Sequence, residues 1–497
     1  MSDHSYRLGV AMDRDRVCGA LADADGDIVA ATAQRLTEPP TPDAALTAVL
    51  YSFLSGGRAV RKIDTVAFAI NEVDELVAFS RASADRWHPW HAELGPVAVV
   101  RLGAATTAVP PLALWPPDLR EEVVLARTCV AGGARLDGTV LEPLDEDALV
   151  DFARSVAGRV TAVAVTGVFA TLTPDHELAA AAVLERELGG SVPIVLSHEI
   201  GGAGLLEREN ATVLQAAMTA PATLDAEMLQ NLLVEHDLGH AEVFIARNDG
   251  TIAALDHAAT HPLAVYGGAA AATVRGTARL AGEQDALVAL TRADGTAPAI
   301  CAVTAGQPRL TAGHTTIAGV PTSLRVIAQV PARALGASPA DTAVDVCAMV
   351  EAVDRAKSAP EDLPLLLGGP GAEELATALP LRLSGTHGVR CPPWAAAAAA
   401  VGVATAPVGG EAERVVPVRG DDAAAMREAV SEAARAAAVR AGADPRRART
   451  KLIEETPLSY LAEPAVALRA RADGPPRPGV AHPTGPPTAG PDRLVRR

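Results

Sequence analysis

The chain has 497 residues, too many for one small core, so two or three packed domains are expected. Its net charge of −17 would repel a phosphate backbone and argues against nucleic-acid binding, and no apolar run reaches the length of a membrane span. Five cysteines without a CxxC pair point to neither a disulfide framework nor a Cys-type zinc site, and with no leader-like N-terminus a soluble cytoplasmic protein is expected.

From the N-terminus, Arg7–Met12, Val17–Ala22 and Ile28–Arg35 read as three strands in a meander, with Asp23 to Gly26 turning between the last two. A helix over Pro42–Leu54 follows, then strands at Thr65–Ile70 and Val97–Leu102. The Pro-rich run Val109–Pro117 breaks the pattern before two helix–strand units, Asp145–Val156 with Val160–Val165 and Pro174–Leu188 with Pro193–Leu196. A helix near Leu205–Ala220 leads to short strands at Glu242–Arg247, Ile252–Asp256, Ala286–Thr291 and Ala299–Ala305, an echo of the opening meander that suggests two related halves. Leu363–Leu367 reads as a strand, Gly368 to Gly371 as a turn, and Asp421–Ala441 as a long Ala-rich helix. Alternating strands and helices indicate an α/β architecture. Aromatic residues make up only 3% of the chain, so its cores must be Ala, Val and Leu. The three Lys among 43 basic residues fit a GC-rich bacterial genome and carry no functional signal.

Several segments together resemble one family. They are the run Ser197 to Ala217 (SHEIGGAGLLERENATVLQAA), Asn248-Asp-Gly-Thr251, Trp115-Pro-Pro-Asp-Leu-Arg120 with Gly132-Gly and Asp137-Gly downstream, and Glu455-Thr-Pro-Leu-Ser-Tyr-Leu461. On these the chain is similar to the A-type subunit of the hydantoinase/oxoprolinase family, which includes ATP-dependent hydantoin and 5-oxoproline hydrolases and related ketone carboxylases. The resemblance implies two ribonuclease-H-like domains of the actin/sugar-kinase/Hsp70 type with nucleotide between them. The implied divisions are residues 6–196, residues 197–410, a closing helix and strand segment over 411–474, and a disordered Pro/Gly-rich tail over 475–497.

The phosphate grip implied by the resemblance is two Asp-x-Gly-Gly-Thr hairpins, one opening each domain. Glycines let backbone N–H groups close on phosphate oxygens, Thr adds a hydroxyl, and Asp positions a metal or its waters. At the first hairpin the Asp position is Ala11, the glycines are Asp13 and Arg14, the Thr is Asp15, and a second family Asp falls at Cys18. A carboxylate facing a polyphosphate would cost on the order of 4 kcal/mol at an effective dielectric near 20. Arg14 and Arg16 would offset part of that without restoring the close backbone approach. At the second hairpin only Asp294-Gly295-Thr296 matches, and Asp-Gly is equally a common turn between strands. The family's later elements appear changed as Phe68 to Val73, Gly267-Gly268-Ala-Ala270 and Ala334 to Ala337. Gly368-Gly369-Pro-Gly371 survives best, either as a nucleotide-binding turn or as an ordinary strand–helix connection.

Candidate cofactor-binding residues are therefore Gly267, Gly268, Asp294, Gly295, Thr296, Gly368 and Gly369, for ATP and Mg²⁺ if the site is retained. His198, Glu199, Glu207 and Glu209 have no metal-ligand spacing, His257 and His261 lack a helix to align them, and the loop at Pro392-Pro393 disfavours a reactive His387–Cys391 pair. The expectation is a degenerate family member deficient in ATP binding, acting as a non-catalytic or regulatory subunit. The alternative is an active ATP-dependent hydrolase of cyclic amides. By resemblance its partners would be a B-type subunit or a second copy of the chain.

Overall fold

The first strand of the chain, Tyr6–Asp13, is buried on both faces, and its alternation decides what covers each. Leu8, Val10 and Met12 point into a core with Leu46, Val49 and Phe53 of helix Pro42–Leu54 and with Leu229 and Leu233. The opposite face is small: Ala11 joins Val401 and Ala404 of helix Ala398–Thr405 and Ala434 and Ala438 of helix Ala423–Arg440. The computed structural model describes residues 5–13, 16–36, 42–54, 62–70, 94–292, 296–333, 345–417, 423–458 and 465–477.

Two sheets repeat one topology. In the first, Ile28–Arg35, Arg16–Ala22, Tyr6–Asp13, Ile63–Ile70 and Glu242–Ala246 lie in the order third, second, first, fourth, fifth. The meander is antiparallel and the last two strands join parallel. In the second, Gln307–Pro308, Ala299–Thr304, Ala286–Leu290, Leu363–Gly368 and Thr386–Arg390 take the same order and the same directions. These are the two ribonuclease-H-like halves. The strand Glu242–Ala246, expected to open the second half, instead completes the first sheet, and the second meander begins at Ala286.

Two additions surround this frame. The first sheet continues through Ile252–Ala254, Val408–Pro417, Ala465–Gly474 and Arg449–Pro457 to nine strands. It thus draws members from either side of the divisions expected at 196/197 and 410/411. Between the fourth and fifth strands of that sheet the chain leaves to build a four-stranded parallel sheet, Val124–Val130, Val97–Leu102, Ala162–Gly167 and Ile194–Leu196. Helices Glu146–Val156 and Asp175–Leu188 cover one face. The 31-residue helix Leu205–Glu235, longer than expected and continuous through Pro221, covers the other and returns to the first sheet. The strand Ala465–Gly474 ends just before the tail expected over 475–497, and the first residues of that stretch, Pro475–Arg477, are tied to residues 442–444; residues 478–497 lie outside the described residues.

Helix Gly268–Ala281 is sandwiched between the halves, with Ala269 and Ala272 toward the first sheet and Val274 and Ala278 toward the second. It crosses helix Ala398–Thr405 through Gly276 and Gly402. A Cβ on Gly276 would sit 1.9 Å from the Ala398 carbonyl oxygen, and one on Gly402 would sit 2.0 Å from that of Ala272. The Ala-rich composition is the physical consequence of stacking sheet, helix and sheet this closely.

Candidate functional site

The first hairpin carries its polar residues at the tip and apolar ones below. Asp13 pairs with Arg16 at the end of the ladder, and Ala11 and Cys18 are direct cross-strand partners. Both are buried, at 7% and 6% exposure, in the core beneath helix Ala398–Thr405. The Cys18 thiol donates to the Ala396 carbonyl at 3.3 Å, which ties the hairpin to the segment leading into that helix. Burial first, then the charge of Asp13, pushes the Cys18 thiol up to about 12, against the opposing pull of Arg16. Arg14 and Asp15 lie outside the described residues.

The same segment reaches the glycine turn, because Gly369 N–H donates to the Ala395 carbonyl at 3.0 Å. Thr291, at the end of the second half's first strand, holds the other side of the turn. Its N–H and hydroxyl both donate to the Gly368 carbonyl, at 2.8 and 3.0 Å, and its hydroxyl oxygen accepts from Gly371 N–H at 3.0 Å. Ala372 N–H donates to the Gly369 carbonyl at 3.1 Å. Gly369 has φ +107°, and a Cβ there would lie 2.4 Å from the Thr291 carbonyl oxygen, so the position demands glycine. The amides of Gly369, Gly371 and Ala372 are thus all engaged inside the protein.

The other sequence candidates disperse. Gly267 and Gly268 open helix Gly268–Ala281 against Ala246, while Gly368 packs on Thr277 of the same helix, roughly 14 Å farther along its axis at 1.5 Å per residue. Asp294 and Gly295 lie outside the described residues, as do Asn71 to Val73 and Ala334 to Ala337; Thr296 is half-buried beside them. Contrary to expectation, His257 lies within a short helix, Leu255–Thr260, and His261 caps its C-terminal end, where their rings stack 4.1 Å apart. Burial leads the causes that lower both histidines, His257 to about 3. His387 is exposed, and Cys391 is pushed up by burial and by Glu373, the opposite of an activated thiol. No group of three or more His, Cys, Asp or Glu among the described residues is placed to hold a metal.

The run Ser197 to Ala217 is a buried polar network. Glu177 accepts from Gly167 N–H at 2.6 Å, the Ser197 hydroxyl at 2.5 Å and His198 N–H at 3.0 Å, with His198 Nδ1 at 2.7 Å. Arg208 donates to Ser197 Oγ and to the carbonyls of Gly202 and Gly167. Glu209 pairs in two-pronged fashion with Arg101, at 2.8 and 2.6 Å, both fully buried. It also accepts from Leu112 N–H, and Arg101 donates to the Val109 carbonyl, so this pair pins the Pro-rich run. Trp115 Nε1 adds a bond to Asn210. A second network, unseen in the sequence, docks the closing strands. Asp249 lies 4.0 Å from Arg247 and 3.7 Å from Arg471, Glu411 pairs with Arg469, and Arg325 reaches Glu413 and Glu454. Arg101 in an otherwise apolar strand was the readable signal, because a charge there must find a partner.

Comparison with curated proteins gives no match. Among solved structures, a nucleotide-free acetone carboxylase, described with a mechanism of ATP-dependent acetone carboxylation, is 14% identical. That alignment covers 97% of this chain and 89% of that one at a TM-score of 0.60. An ATP-dependent caprolactamase from Pseudomonas jessenii is 15% identical, with 95% and 88% covered at a TM-score of 0.67. At such identities the likeness establishes the fold. Residues 32–188 match the family described as the hydantoinase/oxoprolinase N-terminal region, a stretch running from the third strand of the meander to helix Asp175–Leu188 of the inserted sheet.

Proposed function

We propose that this chain is a family member without ATP chemistry of its own, acting as a non-catalytic or regulatory subunit. The observation that carries this reading is the Ala11–Cys18 pair. Magnesium takes hard oxygen ligands, carboxylate or water held by carboxylate. A methyl group and a buried thiol that stays protonated near neutral pH supply neither. The residues present at the two expected aspartate positions therefore do not fit a magnesium–nucleotide. The glycine turn supports the same reading, since a nucleotide using its amides would first have to displace the Thr291 and Ala395 bonds.

Steady-state phosphate release from Mg-ATP tests the proposal, with hydantoin or 5-oxoproline present and absent. Background rates are expected throughout. Turnover above background that disappears in Asp13→Ala would overturn it in favour of an ATP-dependent cyclic amide hydrolase. A regulatory role requires something to regulate, and we propose a B-type subunit or a second copy of the chain as the partner.

A further inference from the structure

At the end of the molecule opposite the hairpins is a cavity of about 500 Å³. It lies where both central strands begin, lined by Arg7 of the first and by Gln284, just ahead of Ala286–Leu290. Arg7 is roughly 20 Å from Asp13 at about 3.3 Å per residue, so the cavity is separate from the hairpin end. Five cations line it, Arg7, Arg275, Arg279, Arg447 and Lys451, against three carboxylates, Asp25, Glu283 and Asp473.

The carboxylates are largely committed. Lys451 lies 3.6 Å from Asp473, Glu283 pairs with Arg390, and Arg279 is taken by Asp27 at 3.3 Å. Arg275 and Arg447 have no side-chain hydrogen bond or ion pair among the described residues, and Asp473 and Asp249 act on Arg275 only at longer range. Arg7 spends one nitrogen on the Ala406 carbonyl at 2.6 Å and leaves its Nε buried without a partner. Arg275 and Arg7 are half-buried, and burial followed by the charge of Arg275 lowers Arg7 to about 10. Like charges held together out of water in a chain of net charge −17 mark a place where an anion would relieve the repulsion.

We propose that this cavity binds a small multiply charged anion, gripped by the guanidinium groups of Arg7, Arg275 and Arg447. Guanidinium forks match phosphate and carboxylate oxygens alike, and the volume suits a metabolite-sized ligand. Titration calorimetry of the full chain with inorganic pyrophosphate and with citrate, at fixed ionic strength, tests this and separates the two anion chemistries. Saturable binding of at least one is expected. Losing one charge-assisted contact should weaken it about tenfold or more in Arg275→Gln and in Arg447→Gln. The exposed position of Arg447 makes that second variant safe for folding. No saturable binding of either anion, or wild-type affinity retained in both variants, would overturn the proposal.

Discussion

A guanidinium in the middle of an apolar strand is tolerable only if its donors are met, and Arg101 shows how that is done. Two nitrogens go to Glu209 and a third to a carbonyl, with exposure of 0% on both sides of the pair. Truncating Glu209 to Ala would strand the charge, so urea unfolding should show a loss of about 3–5 kcal/mol; a loss below about 1 kcal/mol would contradict the role assigned to the pair. Thr291→Val keeps the shape but removes the hydroxyl that joins Gly368 to Gly371. A cost of about 1–3 kcal/mol is expected from the unsatisfied Gly371 amide, with no effect if the turn is held elsewhere. Two titrations oppose folding at acid pH. Although burial pushes Asp249 up, Arg247, Arg471 and two bonds from Thr251 hold it at about 2, below the usual 3.8. Its contribution is complete above about pH 4 and lost as pH falls toward 2. His257, lowered to about 3 from 6.5, stays neutral in the fold while the unfolded chain takes up a proton, so stability falls as pH drops below about 6.5. Unfolding free energies measured from pH 7 to 4 should depend less on pH in His257→Gln than in the parent, and equal slopes would refute the assignment.

Among the elements, the crossing of Gly268–Ala281 with Ala398–Thr405 is the most exacting. Both contacts at Gly276 and Gly402 are backbone, so an added methyl can be accommodated only by moving a helix. Gly276→Ala should cost about 3 kcal/mol by denaturant unfolding, while Gly190→Ala, with open space around it, should be near neutral. Elements were readable where periodicity was strong: Ile28–Arg35 and Pro42–Leu54 stand as expected, and Asp145 caps its helix through Ala148 N–H. The strand Ala465–Gly474 was not. Its Ala, Leu and Arg residues favour helix locally, yet Leu468, Ala470 and Ala472 alternate into the core while Arg469 and Arg471 meet Glu411 and Asp249. Ala398–Thr405 was hidden for a different reason, since a helix buried on all sides has no polar face to set its period.

At the scale of the whole molecule, the opening meander was legible because its strands are local, and the repeat of that topology was visible only as an echo. Which strand completes which sheet depends on partners far apart in the chain, as Val66 beside Val243 shows, and no local pattern encodes that. The site was legible in part. The changes at Ala11 and Cys18 could be read from the motif, but their being opposite one another and buried could not, nor could the capture of the Gly371 amide by Thr291. The Arg-lined cavity was invisible because its residues come from strand starts, a helix end and the closing segment. The hairpin end is proposed not to accept a magnesium–nucleotide. The thermal unfolding midpoint, recorded with millimolar Mg-ATP against Mg-ADP and Mg²⁺ alone, tests it most directly. A ligand at a hundred times its dissociation constant would add about 2.7 kcal/mol and raise the midpoint by a few degrees. No shift specific to nucleotide is predicted in Arg275→Gln, in which anion binding at the Arg-lined cavity is weakened; a clear rise with Mg-ATP in that variant would contradict the account.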